Sequence, residues 1–387
     1  MSRSGQQASK LEGNPLPTLS QLPTPLMIID VDVMDRNIQA LADFAEEIER
    51  DVRPHIKTHK SLALARRQLD ADAVGLTVAT AWEAEVFSGL CDDLFIARSM
   101  ADPVALDRLA ALAARGTRII VGVDGEVPVA ALGRAAATHS TRIEVRIEID
   151  SGQHRCGVEP AEAAALARRV AGADALALEG IFTHEGHVYS VSGPGGVDTV
   201  AKRVAGAMSQ AAEAIRSDGH ALPTVSVGST PARFATPRYE GITEMRPGTY
   251  IFNDATAMLL GAAEEPECAA AVLATVISVP GGRQVVVDAG RKAMASDGVP
   301  RESVGHVVGC PGARFHKASE EHGIIEWPED QPLPREGERL RIIPFHICPA
   351  INLHEELVLA RGEEILQIVP IDARGYGRVS EVLGRSQ

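Results

Sequence analysis

A chain of 387 residues, 45% of them hydrophobic, has the apolar content for a large core, which excludes both a disordered polymer and a small disulfide-stapled scaffold. The formal charge of −14 comes from 52 acidic and 38 basic residues with no long basic run, and so argues against a nucleic-acid surface. Five cysteines at wide spacings (Cys91, Cys156, Cys268, Cys310, Cys348) do not suit a disulfide framework; they point to a reducing compartment, by default the cytoplasm. No apolar run reaches the roughly 18 residues of a spanning helix. The opening stretch has neither the apolar core of a secretory signal nor the amphipathicity of a transit peptide, and residues 1–22 are expected to form a mobile arm.

From Leu26 onward, short β-branched runs alternate with Ala- and Leu-rich segments of helical period, the pattern of strand–helix repeats around a parallel sheet. Eight such runs occur by Thr230: "LMIID", "VRPHIK", "AVGLTVAT", "DLFIARS", "RIIVGVD", "EVRIEID", "ALEGIFTH" and "TVSVGST". They predict a (β/α)8 barrel over residues 23–255, with a doubly wound open sheet as the alternative. After Asp254 the pattern changes. Strand-like runs broken by Gly/Pro turns predict a mostly antiparallel β domain over residues 256–387, with which the N-terminal segment is free to pair.

Chemistry in a barrel collects where strands end at the C-terminal face. The second run ends in His55 and Lys57, the sixth in "DSGQHRCGV" with Asp150 and Arg155, and the seventh in "FTHEGHVYS" with His184, Glu185, His187 and Tyr189. Lys57 stands beside Arg53, His55 and His59, and crowding by cations lowers an amine pKa toward a nucleophilic value. Lysine is also the residue that condenses with a carbonyl cofactor. "VSVGSTPARF" ends the eighth run in Gly228, Ser229 and Thr230, and "RPGTYIFND" supplies Gly248, Thr249 and Tyr250, two turns able to present backbone N–H groups and hydroxyls to an anion. Far along the chain, His346 and Cys348 are one residue apart in "HICPAINL". On an extended strand both would face the same way, as a borderline-soft pair suited to Zn²⁺.

In this order the motifs resemble those of the fold-type III pyridoxal-phosphate enzymes related to D-threonine aldolase and D-serine dehydratase, which share an alanine-racemase-like barrel. The likeness runs from about Pro23 to Gly375 and includes "RPHIKTHK", "DSGQHRCGV", "VGSTP", "RPGTYIFND", "EEHGII" and "HICPAINL". It implies that Lys57 carries the cofactor and that Gly228, Ser229, Thr230, Gly248, Thr249 and Tyr250 surround its phosphate. His55, Arg155 and Tyr189 would lie near the ring, with His59 and Lys60 as outer supports. His346 and Cys348 would hold a divalent cation, Zn²⁺ or Mn²⁺, that touches the substrate's β-hydroxyl, and the catalytic base would be sought among His184, Glu185 and His187.

The implied activity is lyase chemistry on a D-β-hydroxy-α-amino acid by a homodimer. Retro-aldol cleavage to glycine and an aldehyde is favoured by the Pro-x-x-Asn-Leu-His run. Elimination to a 2-oxo acid and ammonia is the alternative, supported by "VSVGSTP" and by a cysteine as the second metal ligand. A racemase or a non-catalytic pyridoxal-phosphate carrier would use the same barrel. The first needs no metal, and the second is generally a lone barrel.

Overall fold

β-branched runs become strands and the Ala/Leu-rich stretches between them become helices in the computed structural model, which describes residues 17–191, 193–295, 303–375 and 377. The described residues divide into two compact units. One gathers those up to Ile38 with Thr249–Leu259 and Ala263–Ile371; the other gathers Gln39–Gly248, Leu260–Ala262 and those from Asp372.

The first strand, β1 (Leu26–Asp30), departs from the barrel reading. Its three central residues are buried, and it pairs in the first unit rather than joining the parallel strands. An apolar run buried on both faces carries no mark of which sheet it completes.

The barrel strands are β2 (Asp51–Val52), β3 (Leu76–Val78), β4 (Asp93–Ile96), β5 (Arg118–Val123), β6 (Ile143–Glu148), β7 (Leu176–Phe182), β8 (Thr224–Val227) and β9 (Glu244–Met245). They pair in parallel in the order β2-β9-β8-β7-β6-β5-β4-β3. A parallel bridge between His55 and Thr77, with the Thr77 N–H donating to the Pro54 carbonyl at 2.9 Å, joins the ends of the order into a closed ring. The eighth member is thus the two-residue β9, too short to show any periodicity in sequence.

The barrel interior begins with ions rather than hydrocarbon. Glu244 is fully buried, accepting from Arg53 Nε at 2.8 Å, Arg146 Nη1 at 2.5 Å and Ser226 Oγ at 2.5 Å, while Arg146 also donates to Glu179 at 2.5 Å. Burial alone would push the Glu244 carboxyl up, but Arg146 and Arg53 outweigh it and hold the pKa at about 2. Further toward the strand ends lie Phe95, Ile120 and Phe182, with the Phe95 and Phe182 rings edge to face at 5.0 Å. The Arg246 guanidinium stands 5.5 Å from the Phe95 centroid and 5.3 Å from that of Phe182.

The first unit is a nine-stranded sheet of β1 with β10 (Ala270–Gly281), β11 (Gln284–Val287), β12 (Gly305–Val307), β13 (Arg314–Ala318), β14 (Gly323–Glu326), β15 (Arg339–Pro344), β16 (Glu356–Arg361) and β17 (Glu364–Pro370). All its pairings are antiparallel except β1 with β16. Residues 1–16 of the expected arm lie outside the described residues, and the remainder of it is not an arm. Leu19–Gln21 is a 3-10 turn, Thr18 bridges to Glu364, and Leu19 is buried with Ile28, Leu273 and Val358. Two leucines in an otherwise polar stretch anchor it. Among the described residues no helix is long and apolar enough to cross a membrane.

Candidate active site

Lys57 sits in a 3-10 turn, Ile56–Thr58, just past β2. The turn is fastened at both ends. His55 Nδ1 accepts from the Lys57 N–H at 3.4 Å, and the His59 and Lys60 N–H groups both donate to the Ile56 carbonyl, at 3.1 and 2.9 Å. His59 is fully buried, its Nδ1 accepting from the Ser61 N–H at 3.1 Å and its Nε2 3.0 Å from Gln68 Oε1. Burial lowers its pKa to about 4, so it stands neutral as a support. The sequence placed Arg53 among cations crowding Lys57; the structure instead turns it inward to Glu244 and Asp93. Residue alternation along an extended segment sends position 53 to the ionic layer. The cation that does stand near is Arg246, from the end of β9. It is fully buried, donating from Nε to Ser226 Oγ at 2.7 Å and from Nη2 to the Thr183 carbonyl at 2.6 Å.

Two imidazoles share the field of the Lys57 amine. His55 is buried and its pKa falls well below the usual value, first through burial and then through Lys57 and Arg246. His184, just past β7, is lowered to about 3 by burial and by Lys57, and its Nδ1 lies 2.9 Å from the Gly228 carbonyl. Both rings are therefore neutral at physiological pH. Glu185 is 1% exposed, so burial lifts its carboxyl to about 7 against the pull of the Thr236 and Ser229 hydroxyls; Ser229 donates to its Oε2 at 2.8 Å. His184 and Glu185 thus both attach to the turn that ends β8.

His187 follows in the 3-10 turn Gly186–Ser190. Both its ring nitrogens are buried and make no hydrogen bond among the described residues, and burial, then Arg203, lowers its pKa. Tyr189 packs half-buried on the barrel core. Arg155 is exposed, with Nη2 3.9 Å from Glu148 at the end of β6, and its charge adds to the lowering of His184. Glu148 itself is buried and raised to about 7 by desolvation. Sequence reasoning singled out neither Glu148 nor Arg246; the arginine's only signal was its place directly before the Pro-Gly of the second turn.

The two glycines of the anion turns sit where a Cβ would be crowded. A Cβ on Gly228 would meet the Arg246 carbonyl at 3.0 Å, and one on Gly248 would meet the His55 carbonyl and Thr58 Oγ1, both at 3.2 Å. Ser229 and Thr230 are buried beside Gly228. Thr249 and Tyr250 belong to the other unit, in the 3-10 turn Thr249–Ile251, where the Thr249 carbonyl accepts from the N–H of Asn253 at 2.7 Å.

In that same unit His346 and Cys348 do not lie on a strand. β15 stops at Pro344, His346 is the N-cap of the helix Ile347–Leu353, and Cys348 falls in its first turn. The buried Asp254 carboxylate accepts from the Ile347 N–H at 3.1 Å and the Ala257 N–H at 2.9 Å, which fixes where this helix starts. Among the described residues, groups of three close metal-type donors occur as Asp124, Glu148, Cys156 and as Asp150, His154, Glu159, neither of which includes His346 or Cys348.

Residues 29–256 match the family profile of the alanine racemase N-terminal domain, and residues 269–360 match a putative serine dehydratase domain. D-threo-3-hydroxyaspartate dehydratase of Delftia sp. (strain HT23) is 36% identical over 354 residues, 86% of this chain and 92% of that protein. The crystal structure of D-threonine aldolase from Filomicrobium marinum superposes with a TM-score of 0.87 at 32% identity, covering 94% of this chain and 99% of that one. A D-threo-3-hydroxyaspartate dehydratase variant solved in a metal-free form gives 0.85 at 32% identity, covering 94% and 100%.

Proposed function

The chain belongs to the alanine racemase-like fold-type III family of D-threonine aldolases, D-serine dehydratases and 3-hydroxyaspartate dehydratases, and from that membership we propose a pyridoxal-phosphate- and divalent-metal-dependent lyase of D-β-hydroxy-α-amino acids. The residues suit the cofactor. Lys57 supplies the amine beside two neutral imidazoles, and the Gly228–Ser229–Thr230 turn joins a side-chain-free backbone to two buried hydroxyls. Lys57 would hold it covalently, with Gly228, Ser229, Thr230, Gly248, Thr249 and Tyr250 at its phosphate and His55, Arg155 and Tyr189 about its ring. His346 and Cys348 would supply an imidazole and a thiolate to a divalent cation, a donor set that suits Zn²⁺ better than Mn²⁺, and two protein ligands leave positions open for oxygen donors. When bound, pyridoxal phosphate supplies an electron sink for charge at Cα, and the cation supplies a Lewis acid for the β-hydroxyl.

The reaction these residues support best is elimination, giving a 2-oxo acid and ammonia. The observation that carries it is the pair of neutral imidazoles, His55 and His184, in the field of the Lys57 amine; His184 donates from Nδ1 to the Gly228 carbonyl and Glu185 accepts from Ser229, which ties both side chains to the anion turn. Lys57 is then the group that takes the Cα proton, and the neutral state of His55 and His184 keeps two further positive charges away from the ammonium so formed. Cys348 as second ligand and the 36% identical dehydratase agree with this reading.

Retro-aldol cleavage is the second reading, favoured by His187. A neutral imidazole whose buried nitrogens make no hydrogen bond among the described residues is an available base for a β-hydroxyl proton. We place the enzyme in the cytoplasm, from its widely spaced cysteines, and as a homodimer, as the resemblance implies. Product analysis with pyridoxal phosphate and Zn²⁺ or Mn²⁺ tests the assignment on D-threonine, L-threonine and D-serine. Ammonia with 2-oxobutyrate or pyruvate supports elimination. Glycine with acetaldehyde selects the second reading, and D-to-L conversion with neither product replaces both by racemisation.

A further inference from the structure

Between Lys57 and the next helix, Leu62–Leu69, the chain must turn back within four residues. Lys60 makes the reversal in a left-handed conformation, φ +50°, which costs energy for a side chain of its size and persists where surrounding contacts enforce it. Two of those contacts come from more than 300 residues away in sequence, and all lie within the barrel unit. The Ala373 N–H donates to the Lys60 carbonyl at 3.0 Å, and Lys60 Nζ donates to the Gly375 carbonyl at 3.3 Å while standing 3.4 Å from buried Glu83.

The helix start is held from the same place. Ser61 occupies the N-cap position, but its hydroxyl makes no bond to the helix and has no hydrogen-bond partner among the described residues. Asp372 Oδ2 does the work instead, accepting from the Leu62 N–H at 2.7 Å. Ala373 is fully buried against the barrel core, which anchors the segment that delivers this carboxylate.

We propose that Asp372–Gly375 is a brace that positions the Lys57 loop for reaction with the cofactor, with Asp372 as its principal positioning residue. The inference rests on the assignment of Lys57 as the cofactor lysine. Asp372 bonds the Leu62 N–H and not the amine; it acts by fixing the chain that follows the lysine, so the loop conformation competent for condensation is the populated one.

The test uses the full-length protein, incubated with limiting pyridoxal phosphate, reduced with borohydride and analysed by peptide mass spectrometry for label on Lys57. D372A is expected to lower labelling and the visible cofactor absorbance about five- to tenfold, the size expected when one helix-end hydrogen bond is lost from the competent conformation. D372N keeps an acceptor oxygen at the same place and is expected to restore labelling to within about twofold of wild type. Wild-type labelling in D372A overturns the proposal, and so does an equal deficit in D372A and D372N, which would mark a merely structural role. Undiminished cofactor trapping in K57A would show that another lysine carries the cofactor, and the brace would fall with that assignment. Loss of label in K57A with no change in D372A refutes the brace alone.

Discussion

Glu185→Gln separates a supporting carboxylate from a catalytic base. In the unfolded chain this group titrates near 4.5, whereas burial lifts it to about 7 in the fold. Between those values the folded protein holds a proton that the unfolded chain has released. Stability therefore falls as pH rises from about 4.5 to 7 and levels off above it, the opposite of the usual salt-bridged carboxylate. A gap of this size corresponds to about 3 kcal/mol at pH 8, of which about 1 kcal/mol is already present at pH 5. Glutamine removes the titration and keeps an amide oxygen for Ser229. The variant should gain about 3 kcal/mol at pH 8 and much less at pH 5, read as melting temperature by circular dichroism in the two buffers. Turnover should survive within a few-fold, because Glu185 serves the turn and not the proton transfer. A variant that is less stable than wild type at pH 8 would refute the burial argument. Loss of turnover by two orders of magnitude with cofactor absorbance intact would make Glu185 the base after all.

Lys57→Ala should abolish both the cofactor's visible absorbance and turnover, by at least about a thousandfold; spectroscopy and an ammonia assay check it, and full activity would remove the lysine assignment. His346→Ala should retain that absorbance while lowering lyase activity at least about tenfold, and added Zn²⁺ or Mn²⁺ should not restore it; activity at the wild-type rate that still responds to a chelator would count against this ligand. Glu244→Gln should cost about 3–5 kcal/mol in urea unfolding at neutral pH, since it leaves Arg53 and Arg146 buried beside a neutral amide. In the wild-type protein the Glu244 contribution is present above about 4.5 and fades as pH falls toward 2, where the folded-state carboxyl takes its proton.

The sequence made the barrel legible because seven of its strands are β-branched runs set between amphipathic helices. It misassigned the first run because "LMIID" is apolar on both faces, and such a run fits the centre of any sheet. It missed β9 because two residues have no period, although the turn after it was recognised by its Pro-Gly. Of the proposed site, the residues that declare themselves by type and neighbourhood can be picked out of the sequence: Lys57, the Gly-Ser-Thr turn, the histidines past β7, and the His346/Cys348 pair. What the sequence could not show was direction. Arg53 and Lys57 are four residues apart, yet one side chain goes to an ion layer and the other toward the imidazoles. His346 and Cys348 were read on a strand because the run before them is a strand, and the Asp254 carboxylate that begins a helix there lies some ninety residues upstream. His59 read as a cation because histidine titrates near neutrality in water, and only burial makes it a neutral strut.

The ion layer inside the barrel has a meaning for assembly beyond its energy. Eight short parallel strands closing into a ring can slip past one another by a residue, and apolar side chains of similar size penalise such errors weakly. Here a slip of β9 by one residue would exchange Glu244 for Met245, pointing the carboxylate outward and leaving Arg53 and Arg146 facing a thioether. The same slip in β6 would withdraw Arg146 from both Glu179 and Glu244. Each misregistered ring therefore buries unpaired charge, whereas the native one pairs every member of the quartet. A strand of only two residues can thus act as the keystone that admits a single closure.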